Sequence, residues 1–167
     1  MSLSEPLLRV EGEVEQPLAL TWQDLAALDP QYQTADVTQL GAKRPGGAAA
    51  LAGILQLAGV KPEAKYLTLH ASHDDFHASI PLDAVVARSV LIYSQSGGPL
   101  PVSAGGPIRF FIPDHTACHS SEIDECANVK HVDRLELSST PGFDNRPADE
   151  RQHAALHEKE QRGGNSV

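Results

Sequence analysis

Residues 97–113 read GGPLPVSAGGPIRFFIP. They follow SVLIYSQS (89–96), a run suited to a strand, so Gly97 and Gly98 make the turn that ends it. The second half, GGPIRFFIP, reads as a further strand. Side chains alternate across a strand, so Ile108 shares a face with Phe110, and Arg109 shares the other face with Phe111. A guanidinium in that position either reaches solvent and pairs with an acid, or lines a polar pocket. The residues alone leave both readings open.

Upstream, LLRVEGEV (7–14) alternates apolar and polar residues and predicts a first strand. In LTWQDLAALDP (20–30), Thr21 stands three residues before Asp24, as in a capping box, and Pro30 closes the element. This predicts a short helix with Leu25 and Leu28 facing inward. YQTADVTQL (32–40) suits a strand and GAKRPGG (41–47) a loop. AAALAGILQLAG (48–59) predicts a buried helix ended by Gly59. KYLTLHAS (65–72) and FHASIPL (76–82) predict a hairpin, with His70 and His77 facing each other and His73, Asp74 and Asp75 at the tip. PLDAVVARS (81–89) offers a short helix and VKHVDRLELS (129–138) a last strand. Strands and helices mix without a repeating strand-helix-strand period, which places the chain in the α+β class. From residue 139 the sequence turns polar. PADERQHAALHEKEQR (147–162) has helix-forming composition but little apolar content beyond Ala154, Ala155 and Leu156. The expected organisation is one domain over 1–138 and a polar tail over 139–167 that docks on a partner or a second copy of the chain.

The chain has 167 residues, enough for a single core without disulfide staples. Thirteen basic residues face 22 acidic ones, a net charge of −9, which argues against general nucleic-acid binding. Two cysteines do not make a disulfide framework. The N-terminus has neither a basic start nor a long apolar run, and no stretch reaches the roughly 18 apolar residues of a membrane span. The expectation is a cytoplasmic protein with Cys118 and Cys126 reduced. Neither a G-x-S-x-G elbow nor a G-x-x-x-x-G-K phosphate loop occurs.

Four segments, taken in order, resemble one family. LRVEGEVEQPLALTWQDLAAL (8–28) is similar to the L-x-V-x-G-x-V, P-x-x-L-T, D-L-x-x-L entry of the sulfite-oxidase-type molybdopterin-binding domain. LAGILQLAGVKPEAKYLTLHASHDDFHASIPLDA (51–84) resembles its middle segment, with D-D-F where the family has D-G-Y. GGPLPVSAGGPIRFFIP matches G-x-P-L-P-x-x-x-G-G-P-L-R-L-x-x-P, the most specific of the four, and CANVKHVDRLEL (126–137) resembles the closing strand. The resemblance covers residues 7–138 and implies a mixed-sheet α+β fold that holds a molybdenum–molybdopterin cofactor. It also implies a cysteine thiolate on the metal, in the loop after the strand matching TADVTQL. This sequence has Thr38, Gln39 and Leu40 there and no cysteine before Cys118, so molybdenum-dependent oxidoreductase activity is not implied with the fold.

Two sets of candidate residues follow. Lys43 and Arg44 precede the expected apolar helix, whose N-terminus would add free N–H groups for a pterin phosphate or another small anion. By resemblance this loop lies at the cofactor mouth, which makes Lys43, Arg44, Arg109 and His115 the candidate cofactor contacts; the alternative is a solvated loop. The second set is His115, Cys118, His119 and Cys126, in an insertion-like stretch flanked by Asp114, Glu122 and Asp124. These types ligate zinc or another transition metal, but only one close pair has the usual spacing. The readings open for that stretch are a surface loop, a metal or oxidant-sensitive site, and a Cys118 that replaces the missing thiolate. His153 and His157, four apart, lack a third ligand. Three functions therefore compete: a molybdopterin-binding domain without its thiolate, a metal-binding or metal-sensing protein, and a non-catalytic interaction module.

Overall fold

The computed structural model describes residues 5–113 and 129–145. Two five-stranded sheets organise them. The first contains β1 (Pro6–Gly12), β2 (Leu18–Thr21), β5 (Tyr66–Ala71), β6 (Phe76–Pro81) and β10 (Arg134–Ser138), in the order β2-β1-β10-β5-β6. Only the β1–β10 pair is parallel; every other neighbour is antiparallel, so the sheet is mixed. The second contains β3 (Gln33–Thr34), β4 (Gly47–Ala50), β7 (Val90–Gln95) and β8 (Gly98–Pro99), with β9 (Arg109–Phe111) also paired to β7. The helices are α1 (Trp22–Ala26), α2 (Leu51–Ala58) and α3 (Leu82–Val85). This is the mixed α+β architecture expected from the sequence.

The period of two in each strand decides what each face buries. In the first sheet Leu8 and Val10 of β1, Leu67 and Leu69 of β5, Ala78 and Ile80 of β6, and Leu135 and Leu137 of β10 enter one core. Ala49, Leu91 and Phe110 of the second sheet enter the same core from one register row. Leu51, Ile54, Leu55 and Ala58 of α2 complete it. The opposite face of the second sheet carries a smaller core of Val37, Ala48, Val90, Ile92 and Leu100, with Leu40, Ala42, Ala104 and Phe111 packed on it.

Local signals hold at the elements where backbone and side chain agree. Thr21 caps α1: its hydroxyl accepts from the Asp24 amide while the Asp24 carboxylate accepts from the Thr21 amide. Leu25 is buried and Leu28 half-buried. Gly59 ends α2 in the left-handed region, with its amide on the Leu55 carbonyl. The 66–81 hairpin pairs His70 with His77 directly.

Two segments depart from the expectation. YQTADVTQL pairs as a strand only at Gln33–Thr34; Val37–Leu40 is a 3₁₀ turn capped by Asp36, which accepts from the Thr38 amide and hydroxyl. The aspartate offers the backbone a local partner that competes with a ladder, and these two bonds hold its carboxyl below the usual range. AAALAGILQLAG splits: Gly47–Ala50 forms β4 and the helix begins at Leu51. Alanine has high helix propensity, but here two partner strands, β3 and β7, are available and outweigh it.

Leu135 is fully buried between β1 and β5. Leu135→Ala is expected to lower the unfolding free energy by about 2–5 kcal/mol, and Thr21→Ala, at the exposed cap, by about 1 kcal/mol. Urea unfolding followed by Trp22 fluorescence measures both.

Candidate functional site

Two loops meet over the small core. One runs through the 3₁₀ turn at 37–40 and GAKRPGG; the other is the stretch between β8 and β9. Asp36 starts the first, and Gly41, at φ 98, closes it with its amide on the Thr38 carbonyl. The second folds back tightly. The Gly106 amide reaches the Pro101 carbonyl at 2.9 Å, and a Cβ on Gly106 would lie 1.9 Å from the Leu100 carbonyl oxygen. Any side chain at 106 would therefore push the two limbs apart.

β9 continues from that loop. Its alternation sends Ile108 and Phe110 into the main core and turns Arg109 and Phe111 toward the small one. Arg109 stands opposite Ile92, which itself stands opposite Ala48, so the guanidinium rises at the end of an apolar row. It is half-buried, and its Nε is shielded from solvent with no hydrogen-bond partner among the described residues. Burial first, and then the nearby Arg44 charge, press its pKa below the ordinary arginine value. Arginine nonetheless stays protonated in proteins. The site therefore holds two like charges close together and, among the described residues, no carboxylate paired with either.

Lys130 joins them. A Cβ on Gly105 would meet Arg109 Cδ at 3.1 Å and Lys130 Cγ at 3.4 Å, so both stems pass over this glycine. Gly105 has φ 102, a conformation glycine adopts without strain. His131 anchors the turn from below. Its amide donates to the Gly105 carbonyl at 2.8 Å, and its Nδ1 lies 2.8 Å from the Gly106 carbonyl oxygen, which fixes Nδ1 as the protonated nitrogen. His131 itself has φ 60, and its Nε2 is 3.9 Å from Asp74 at the hairpin tip. The cation cluster is thus tied to the first sheet through one histidine.

The structure sets Arg44 near enough to Arg109 for its charge to act there. Lys43 lies beside Arg44 on the exposed loop. The expected helix N-terminus does not contribute: β4 intervenes, and the first amide of α2 donates to the Ser89 carbonyl. Nor does Arg109 pair with an acid among the described residues, so the solvent-exposed ion pair weighed from sequence is not what the described residues form. His115, Cys118, His119 and Cys126 lie outside the described residues, as do His153 and His157. Among the described residues no group of three or more His, Cys, Asp or Glu side chains is arranged to hold a metal. Sequence reasoning named neither Lys130 nor His131 as a cofactor contact. Their only local signal was a basic pair ahead of a strand, and nothing in the sequence placed them under the Gly105 turn.

Residues 4–145 match the family described as the oxidoreductase molybdopterin binding domain. The uncharacterized oxidoreductase YuiH of Bacillus subtilis (strain 168) is 35% identical over 114 residues, which are 64% of this chain and 56% of that protein. This chain therefore spans little more than half of that relative. The crystal structure of the sulfane dehydrogenase SoxCD from Paracoccus pantotrophus superposes with a TM-score of 0.60 over 84% of this chain and 40% of that one, at 24% identity, a likeness of fold. No helix among the described residues is long and apolar enough to cross a membrane. With a mixed α+β scaffold, and with the match running through all of the described residues, the chain belongs to the oxidoreductase molybdopterin-binding domain family.

Proposed function

We propose that the chain binds a molybdopterin through the cluster of Arg44, Arg109 and Lys130, with Lys43 beside it; His115 is the further candidate contact, outside the described residues. The solvent-shielded Nε of Arg109, without a partner among the described residues, carries this reading. A buried polar group without a partner costs about 1–3 kcal/mol, more if it is charged, and an acceptor supplied by a ligand would remove that cost. An anionic pterin supplies both the acceptor and the counter-charge for the two guanidinium groups. The Gly105–Gly106 turn lets the ligand approach the backbone with no Cβ in the way.

These residues fit the anionic part of the cofactor. Arg44 and Arg109 would neutralise it, His131 holds the Gly105–Gly106 turn, and Ala48, Ile92 and Phe111 belong to the apolar face on which Arg109 stands. When bound, the molybdenum centre supplies two-electron oxygen-atom chemistry, and the protein supplies position and charge. The metal's usual protein thiolate does not fit as well: Thr38, Gln39 and Leu40 occupy the loop to which the resemblance assigns it, and hydroxyl or amide oxygens are poor substitutes for a soft ligand. We read the domain as a pterin or anion binder with weak oxygen-transfer activity, in the cytoplasm. The second reading, a metal site at His115, Cys118, His119 and Cys126, and the third, an interaction module working through the tail, rest on residues outside the described ones.

Protein from a molybdenum-replete host, extracted under denaturing oxidation, is expected to release a fluorescent pterin in near-stoichiometric amount, and Arg109→Met to reduce it more than tenfold. No pterin from the unaltered chain, together with stoichiometric zinc that is lost in Cys118→Ser, would move the assignment to the metal reading. Pterin-free protein is expected to gain thermal stability from phosphate or molybdate. At a hundredfold excess over the dissociation constant the gain is about 2.7 kcal/mol, roughly 5–10 °C for a domain of this size. Arg109→Met is expected to abolish that gain while leaving ligand-free stability unchanged or higher, because it removes a charge with no described counter-ion. Thermal scans with and without anion measure both.

A further inference from the structure

On the outer face of the first sheet, away from the cation cluster, four side chains form one chain of contacts. Glu136 Oε1 lies 2.9 Å from His70 Nε2, His70 Nδ1 lies 2.7 Å from His77 Nδ1, and His77 Nε2 lies 3.0 Å from Asp75 Oδ1. His70 is only 3% exposed. An ionised carboxylate only accepts, so both Nε2 atoms carry hydrogen. The central contact needs a third proton, because two bare nitrogens 2.7 Å apart would repel. Two neutral imidazoles supply only two protons, so the complete chain of contacts contains one imidazolium and one imidazole. A fourth proton would set N–H against N–H and break the central contact.

A strap of backbone fastens to the same residues. The Asn145 amide donates to the His77 carbonyl at 3.0 Å, and the Asn145 side-chain oxygen accepts from the His77 amide at 2.8 Å. Asp144 accepts from the Ser79 amide, and the Gly142 amide donates to the Ser79 hydroxyl. The His77 ring stands between two others, with ring centres 4.9 Å from His70 and 5.0 Å from Phe143, both edge to face.

We propose that the His70–His77 pair is an acid-sensitive clasp: sharing one proton it holds the 140–145 strap against β6, and taking a second it releases the strap. The charged groups that face the pair set its range. Glu136 from β10 and Asp75 from the hairpin tip favour the first proton; Arg134, itself paired with Glu11 at 2.6 Å, opposes the second. Asp144 approaches from the strap and stays on the Ser79 amide. Burial, the largest influence on His70, lowers its pKa below the ordinary imidazole value. A second proton on the closed pair must enter beside the first and break the central contact, so the closed chain takes it up less readily than the open one. Closing the chain from two neutral imidazoles takes up one proton and closing it from two imidazoliums releases one, so closure is strongest where the pair holds a single extra proton and weakens as pH falls toward the doubly protonated pair.

Amide hydrogen exchange on the full chain tests this, with each rate divided by its intrinsic rate at the same pH. Between pH 7.5 and 5.0 the protection of the Gly142, Asn145 and His77 amides is expected to fall at least tenfold, while that of Val10 and Leu135 holds. In His70→Gln the strap amides should lose this pH dependence. A nitrogen-15 spectrum of the unaltered chain is expected to show one proton coupled to both Nδ1 atoms at pH 7.5 and not at pH 5.0, a readout that does not depend on a variant folding. Strap protection that is the same at both pH values, or a His70→Gln variant that keeps the drop, would overturn the proposal.

Discussion

Strand β10 lies between β1 and β5, and the register it takes there places most of what is distinctive in this protein. Leu135 and Leu137 enter the main core, opposite Val10 and Gly12 on one side and Leu69 and Leu67 on the other. Because the side-chain period is two, a one-residue slip would send these leucines to solvent and bring Arg134 and Glu136 into the core. The hydrophobic pattern therefore fixes the register without ambiguity. That register sets Glu136 beside His70, lays Lys130 and His131 against the Gly105 turn, and starts the chain toward β6, where residues 142–145 fasten. The close fit of β1 against β10 depends on Gly12, where a Cβ would fall 2.1 Å from the Leu137 carbonyl oxygen.

The two faces of the second sheet differ in what they bury. The face toward the main core is filled by Ala49, Leu91 and Phe110. The other carries a core too small to shield a charge fully, and Arg109 stands at its edge. An arginine in that place costs stability through desolvation and through the neighbouring Arg44 charge. Proteins that carry such a local cost commonly do so at a functional site, and an anionic ligand removes both penalties together.

The outer face of the first sheet shows a different solution. There, the buried His70 and half-buried His77 find carboxylates and each other, so both imidazoles are satisfied internally, and the strap fastens beside them. The hairpin tip adjoins both regions: Asp75 bonds His77, and Asp74 approaches His131 beneath the Gly105 turn. One reverse turn of four residues thus borders both the histidine pair and the cluster of cations.

Local physics made much of this legible in the amino-acid sequence. The capping box at Thr21–Asp24, the glycine end of α2, the hairpin with His70 opposite His77, and the alternation at Arg109 follow from chemistry within a few residues, which needs no knowledge of distant neighbours. The mixed fold was readable because four ordered segments carry its pattern. Tertiary structure alone decided the rest. Gly47–Ala50 became a strand because β3 and β7 were there to pair with it. Val37–Leu40 became a turn because Asp36 satisfied its amides. Lys130 and His131 reached the Gly105 turn across about 25 residues of sequence, as the 25-residue separation of the His131–Gly106 contact shows. Each of these depends on which groups arrive from elsewhere in the chain, and a sequence read locally does not contain that.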